Sequence, residues 1–199
     1  MEPLTIFALC RVPVVLGAFA LALHHYRKRS VPLAPLPVLL LPLAGLLVTS
    51  AGDLCGNWFR GCFVFGASHL CWFAFLLRRG KFSWRTAGSL ALVLAVLLAL
   101  VVFPAVDSRH RIAFAWYAFC TTISVSASAG ARKAPGGNFY LAGLTALMVS
   151  DVCIGLSLAK VPGAAPIIAP LYVLSLFLLF AALLRGLPAP PPERETDAG

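Results

Sequence analysis

Three ionisable side chains, Asp53, His69 and Asp151, interrupt long apolar stretches of this 199-residue chain. A charged side chain at the centre of a bilayer costs about 2.5–3.5 kcal/mol on insertion scales, so such groups usually face the interior of a helix bundle or a wet cavity. Two carboxyl groups can divide acid–base chemistry between them, one donating a proton while the other stays ionised, and an imidazole can orient them. We therefore predict a polar site formed by these three residues.

Each of the three also has a purely structural interpretation. Asp53 falls in the last turn of a predicted helix, where it could bond to interfacial water. His69 could be a histidine whose hydrogen bonds are satisfied within the core. Asp151 follows Ser150 inside an apolar run and is the hardest of the three to explain by packing alone. Taken together, the three residues favour a site.

Composition indicates the class of protein. The chain is 60% hydrophobic and only 12% charged, with a mean hydropathy of +0.91, which lies outside the range of soluble globular domains. We predict an all-α, polytopic helix bundle, integral to the cell membrane. The net charge of +9 is gathered in short runs between apolar segments, as in cytoplasmic loops, so a nucleic-acid partner is not expected.

The elements that must position these residues are membrane-spanning helices. Spanning about 30 Å of hydrocarbon takes roughly 20 helical residues. Windows of this kind predict seven spans, at about 4–23, 33–55, 59–77, 86–104, 111–130, 139–158 and 166–184. We expect residues 1–186 to form one bundle and the Pro-rich residues 187–199 to form a disordered cytoplasmic tail.

Lysine and arginine are distributed unequally between the two sides of these predicted spans. One side carries Arg27, Lys28, Arg29, Arg78, Arg79, Lys81, Arg85, Arg132, Lys133, Arg185 and Arg194, and the other carries Arg60, Arg109, Arg111 and Lys160. An excess of these residues marks cytoplasmic loops. The pattern predicts an N-terminus outside the cell and a C-terminus in the cytoplasm.

Helix geometry then predicts the depth of each candidate. At 1.5 Å per residue, Asp151 lies roughly 18 Å from the cytoplasmic start of the sixth span, and His69 roughly 15 Å below the outer start of the third. Both therefore fall in the outer half of the membrane, with Asp53 nearer the rim. Arg11, inside the first span, either reaches the same site or extends outward to the interface.

Residue types exclude several other classes of membrane protein. The seventh span has no lysine for a retinal, and no voltage-sensor charge repeat is present. A zinc site needs about three converging ligands, but His69 is the one histidine inside a predicted span, and the six cysteines form no C-x-x-C pair. We expect no metal and no cofactor.

Two motifs resemble those of a known family. Gly52-Asp53 closes one predicted helix, and Gly61, Phe65, His69 and Trp72 then follow at spacings that place them on one helical face. This pattern is similar to the central motif of the YhhN family of membrane proteins, which includes the animal lysoplasmalogenases.

The second motif lies nearly a hundred residues later. The segment from Gly143 to Ser150-Asp151 resembles the family's G-x-x-x-F-x-x-S-D motif, and Tyr172 falls where the family has a tyrosine in its last helix. The family usually has tyrosine in place of Trp72 and phenylalanine in place of Leu147. It also tends to have eight helices, so we expect this chain to lack the family's first one.

The resemblance implies cleavage of the vinyl ether of a lysoplasmalogen-type lipid from the bilayer, which yields a fatty aldehyde and a glycerophospho-amine. Burial disfavours a charged carboxyl, so the deeper Asp151 is assigned as acid and Asp53 as base or cation stabiliser, although these roles could be exchanged. His69 is assigned as their orienting partner.

Substrate contacts are assigned to Tyr172, Trp72, Arg11 and Asn57. The alternative function is a non-catalytic protein that binds or transports lipid, in which the same polar groups would hold a headgroup. A third interpretation is a purely structural membrane partner. The oligomeric state is left open.

Overall fold

Apolar helices make up almost all of the chain that the structure describes. The computed structural model describes residues 36–54 and 58–186, together with the isolated positions 16, 17, 20 and 24. No strand occurs within these ranges. Apart from positions 16, 17 and 20, the first predicted span lies outside the described residues, and so does the predicted tail at 187–199.

Between residues 36 and 186, six main helices are described and follow one another through short connections. They are α1 (Leu36–Leu54), α2 (Trp58–Leu77), α3 (Trp84–Leu97), α4 (Ser108–Gly130), α5 (Gly137–Leu158) and α6 (Ala165–Arg185). After α3 the chain continues through a π-helical turn, Leu98–Val102, and a last short turn, Phe103–Ala105. Such short connections leave neighbouring helices antiparallel.

Within the described residues, five helices are long and apolar enough to cross a membrane, judged by length and composition: α2, α4, α5, α6 and the rod Trp84–Ala105 that contains α3. This indicates an integral membrane protein and confirms the all-helical class predicted from composition. In α1 the described apolar stretch, Leu40–Gly52, is shorter. Seven spans, and the orientation of the two termini, stay predictions.

Pro104 explains why the α3 rod changes its helical pitch. A proline has no N–H to donate, and its ring collides with the carbonyl oxygen one turn earlier in an α-helix. The wider π turn ends just before Pro104, and the amide of Phe103 donates to the carbonyl of Leu98, five residues back. Such turns occur within α-helices mostly as single turns and often at functional sites.

Helix α4 occupies the centre of the bundle, because it packs against α2, α3 and α5. Its inner surface is small and polar, and its buried hydroxyls donate to carbonyl oxygens about one turn earlier in the same helix. The residues concerned are Thr121, Thr122, Ser124, Ser126 and Ser128. Because these bonds satisfy the hydroxyls locally, neighbouring helices can approach closely.

Aromatic side chains pack tightly toward the end of α2. Trp72, Phe75 and Tyr140 are almost completely buried, and their ring centroids lie 5.4–6.2 Å apart. The Arg79 guanidinium stacks over Phe75 at 4.3 Å and donates to the carbonyl of Gly186 at 3.3 Å. Arg79 therefore connects the end of α2 to the end of α6.

Candidate active site

His69 is completely buried on α2 and bonds through both ring nitrogens to side chains of α4. Its Nδ1 lies 2.7 Å from the Ser124 hydroxyl, and its Nε2 lies 3.1 Å from the Tyr117 hydroxyl. Ser124 and Tyr117 are seven residues apart, so they lie on one face of α4, two turns from each other. The imidazole therefore fits between two side chains of a single helix.

Tyr117 extends this chain of hydrogen bonds to α5, because its hydroxyl donates to Oδ2 of Asp151. The result is a continuous row, Ser124, His69, Tyr117 and Asp151, that joins α4, α2 and α5. We call it the polar row. Buried polar groups in an apolar environment need hydrogen-bond partners, and the bonds of the polar row supply them.

An apolar pocket lies beside the Asp151 end of the polar row. It has a cavity volume of about 40 Å³, is partly open to its surroundings, and lies between the α3 rod, α4 and α5. Leu94, Val102, Phe114 and Met148 contribute apolar wall, whereas Tyr117, Thr121 and Asp151 contribute the polar side chains. The pocket therefore places the Asp151 carboxyl group in a mostly apolar wall.

The structure brings two of the three predicted catalytic residues into this row. His69 and Asp151 belong to one hydrogen-bonded network, but the hydroxyl of Tyr117 lies between them. The catalytic roles themselves stay predictions. Sequence reasoning missed Tyr117 and Ser124, although the spacing of Tyr117, Thr121 and Ser124 at i, i+4 and i+7 marks a polar face on α4.

Asp53 lies in the last turn of α1, directly after Gly52. The end of α1 approaches α2 closely there, since a Cβ added at Gly52 would lie 3.0 Å from the ring of Phe65, and one at Gly61 would lie 3.4 Å from the carbonyl oxygen of Gly52. The backbone of Asp53 is therefore placed beside α2. The side chain of Asp53 lies outside the described part of the chain.

The predicted substrate-binding residues fall in two groups. Trp72 and Tyr172 are buried in the hydrophobic core, on α2 and α6 respectively. Arg11 and Asn57 lie outside the described residues. Substrate contacts of these four residues stay predictions.

Ser150, next to Asp151, donates to the carbonyl of Ile168 at 3.0 Å and so ties α5 to α6.

The fold and the site together define a membrane-spanning helical bundle with a buried row of polar side chains beside an apolar pocket. A family model, that of the YhhN family, matches residues 6–183, which is most of the chain. The protein therefore belongs to the YhhN family, as its two motifs suggested. No curated protein and no solved structure matches it.

Proposed function

We propose that this protein is a hydrolase of the cell membrane that resembles lysoplasmalogenase and cleaves the vinyl ether bond of a lysoplasmalogen-type lipid. The products are a fatty aldehyde and a glycerophospho-amine. One observation carries the proposal: Asp151, hydrogen-bonded to Tyr117, lies in the wall of an apolar pocket. The membership of the YhhN family supports it.

The chemistry of the bond requires an acid. A vinyl ether is hydrolysed when a proton is delivered to the double-bond carbon remote from the oxygen, which leaves an oxocarbenium ion. Water then adds to the carbon attached to the oxygen, and the resulting hemiacetal separates into aldehyde and alcohol. Asp151 donates the proton and becomes a carboxylate, and the second carboxyl stabilises the cation or takes a proton from the attacking water. Exchange with water returns a proton to Asp151 before the next turnover.

Asp53 is the second carboxyl in this scheme. It acts as base or cation stabiliser, and the roles of the two aspartates could be exchanged, as in glycosidases that divide acid and base work between two carboxyls. The close approach of α1 to α2 at Gly52 and Gly61 brings the Asp53 backbone next to the helix that carries His69.

The pocket suits a single-chain lipid. Its wall is mostly apolar with a few polar side chains, as is typical of small-molecule sites. The α3 rod that forms one wall has exposed leucines and valines, among them Leu92, Val93 and Leu100, which would face hydrocarbon in a bilayer. We expect a lipid to reach the pocket from within the membrane.

Aldehyde release from a lysoplasmalogen by the purified protein tests the proposal. We expect D151N to lower the rate by about 10²–10⁴-fold, the usual contribution of a general acid. D107N is the matched control, because Asp107 is exposed at the start of α4 and outside the pocket. Asp53→Asn tests the second carboxyl in the same assay.

A lipid with a saturated ether in place of the vinyl ether sharpens the result. It has the same headgroup and chain but no double bond to protonate, so we expect it to bind without being cleaved. Wild-type protein that releases no aldehyde, yet copurifies with lipid that stays unchanged on incubation, would refute hydrolysis and support the lipid-binding alternative. Equal rates in wild type and D151N would remove Asp151 from catalysis.

A further inference from the structure

The hydrogen bonds of the polar row limit which of its atoms can carry a proton. At its closed end the Ser124 hydroxyl donates to the carbonyl oxygen of Thr121 at 3.0 Å. A hydroxyl has one proton, so a Ser124 hydroxyl that donates to Thr121 can only accept from Nδ1 of His69, which then carries a hydrogen. A neutral imidazole has a single N–H, which leaves its Nε2 without one.

Two arrangements then make every bond in the row. In the first, Tyr117 donates to an ionised Asp151, and a doubly protonated His69 donates from Nε2 to the tyrosine oxygen. In the second, Tyr117 donates to Nε2 of a neutral His69, and a protonated Asp151 donates to the tyrosine oxygen. Both arrangements contain the same number of protons and have no net charge.

We propose that His69 and Asp151 share one mobile proton and that Tyr117 passes it between them. In the transfer the Nε2–H bond breaks as a new bond forms from that proton to the tyrosine oxygen, while the original tyrosine O–H bond breaks and its proton joins Oδ2 of Asp151. Imidazolium and carboxylate become imidazole and carboxylic acid. No proton enters or leaves the row.

The surroundings hold the Tyr117 ring in position for this transfer. Its ring lies edge-on to those of His69 and Phe65, with centroids 5.4 Å and 6.4 Å away, and the Thr121 hydroxyl bonds to its backbone carbonyl at 2.8 Å. Tyr117 also lines the pocket. The proton on Asp151 is therefore supplied from inside the bundle, at the place where the pocket begins.

The role of this transfer in hydrolysis rests on the proposed function, whereas the shared proton rests on the polar row alone. For that reason the test reads the histidine ring directly. The full chain in lipid nanodiscs, with ring nitrogens of histidine labelled with ¹⁵N, gives signals that report which nitrogens carry protons. The signals of His69 are identified by their loss in His69→Gln.

We expect D151N to shift both His69 ring signals in the otherwise wild-type protein, because Tyr117 joins His69 to Asp151. In the Y117F background the same substitution should have no effect. Tyr140→Phe is the control, because Tyr140 is a buried tyrosine and no other described residue bonds to its hydroxyl. With Y140F the response to D151N should remain.

Cys62 of α2 is a further titratable group near Asp151 and Tyr117. Cys62→Ala should leave the response intact. Unshifted His69 signals in D151N, or a full response to D151N in Y117F, would overturn the proposal. So would loss of the response in C62A or Y140F.

If Y117F does not fold, the reciprocal measurement decides. His69→Gln should change the infrared carboxyl band of Asp151, which is identified by its loss in D151N. An unchanged band would overturn the shared proton. The two proposals fail separately: coupled signals in a protein that releases no aldehyde would refute only the hydrolase, and uncoupled signals in an active protein would refute only the relay.

Discussion

Gly66→Ala is expected to separate α2 from α4 and thereby break the polar row. A Cβ added at Gly66 would lie 2.3 Å from Nε1 of Trp116, a nitrogen that is itself buried. Ordinary contact begins near 3.4 Å, so the space is short by about 1 Å. Trp116 stacks on Phe63 of α2, so it cannot withdraw without losing that packing.

A separation of about 1 Å would stretch both bonds of His69 to α4, at 2.7 Å and 3.1 Å, beyond hydrogen-bonding range. Each lost bond costs about 0.5–1.5 kcal/mol, and overpacking costs about 1–3 kcal/mol. We therefore expect Gly66→Ala to lower the free energy of unfolding by about 2–6 kcal/mol.

Gly88→Ala on α3 is the matched control. A Cβ there meets nothing within 4 Å, so alanine should only favour the helix, by up to about 1 kcal/mol. Unfolding of both variants by denaturing detergent, followed by circular dichroism, measures the difference. A Gly66→Ala protein as stable as Gly88→Ala would refute the close approach of α2 to α4.

Two further perturbations test the ends of the helices. The amide of His110 donates to Asp107 and holds the pKa of this carboxyl below its usual 3.8. The ionised Asp107 therefore stabilises the fold above about pH 4, and this contribution is lost as the pH falls through the lowered pKa. Thermal unfolding of D107N should therefore lose less stability than the wild type on acidification, and equal losses would contradict this. Gly136→Ala should destabilise strongly, because φ is 76° and the Cβ would lie 2.5 Å from the carbonyl oxygen of Ala182. Gly163→Ala, with φ of 80° but open space, should cost only about 1–2 kcal/mol in the same melts, and a larger cost there than at Gly136 would refute the contact.

Much of the helical framework could be predicted from the sequence, because spans of apolar residues have a required length. The predicted limits 59–77 and 139–158 differ by at most two residues from Trp58–Leu77 and Gly137–Leu158. The π turn could not be predicted, because hydropathy does not report helical pitch. Pro104 was placed at the end of a span, whereas the helix begins to adjust six residues before it.

The site was predicted only in part for a similar reason. The lengths of the apolar spans and the bias of lysine and arginine placed His69 and Asp151 at similar depth in the membrane. Neither signal reveals which helices are neighbours across the bundle. Because α2 packs against α4, Tyr117 of α4 lies between His69 and Asp151. A tyrosine in an apolar run also fits a core or an interface, so its type alone does not mark it as part of a site.

The π turn also determines which residues of the α3 rod share a face. At about 100° per residue, the eight positions from Leu94 to Val102 would rotate Val102 by about 80° from Leu94 in a regular α-helix. One extra residue accommodated in the turn reduces this offset to about 20°. Leu94 and Val102 are accordingly both buried, and both line the pocket. A regular α-helix through residues 98–102 would keep the hydropathy of the rod but turn Val102 away, so the shape of the pocket depends on rotational phase as well as on composition.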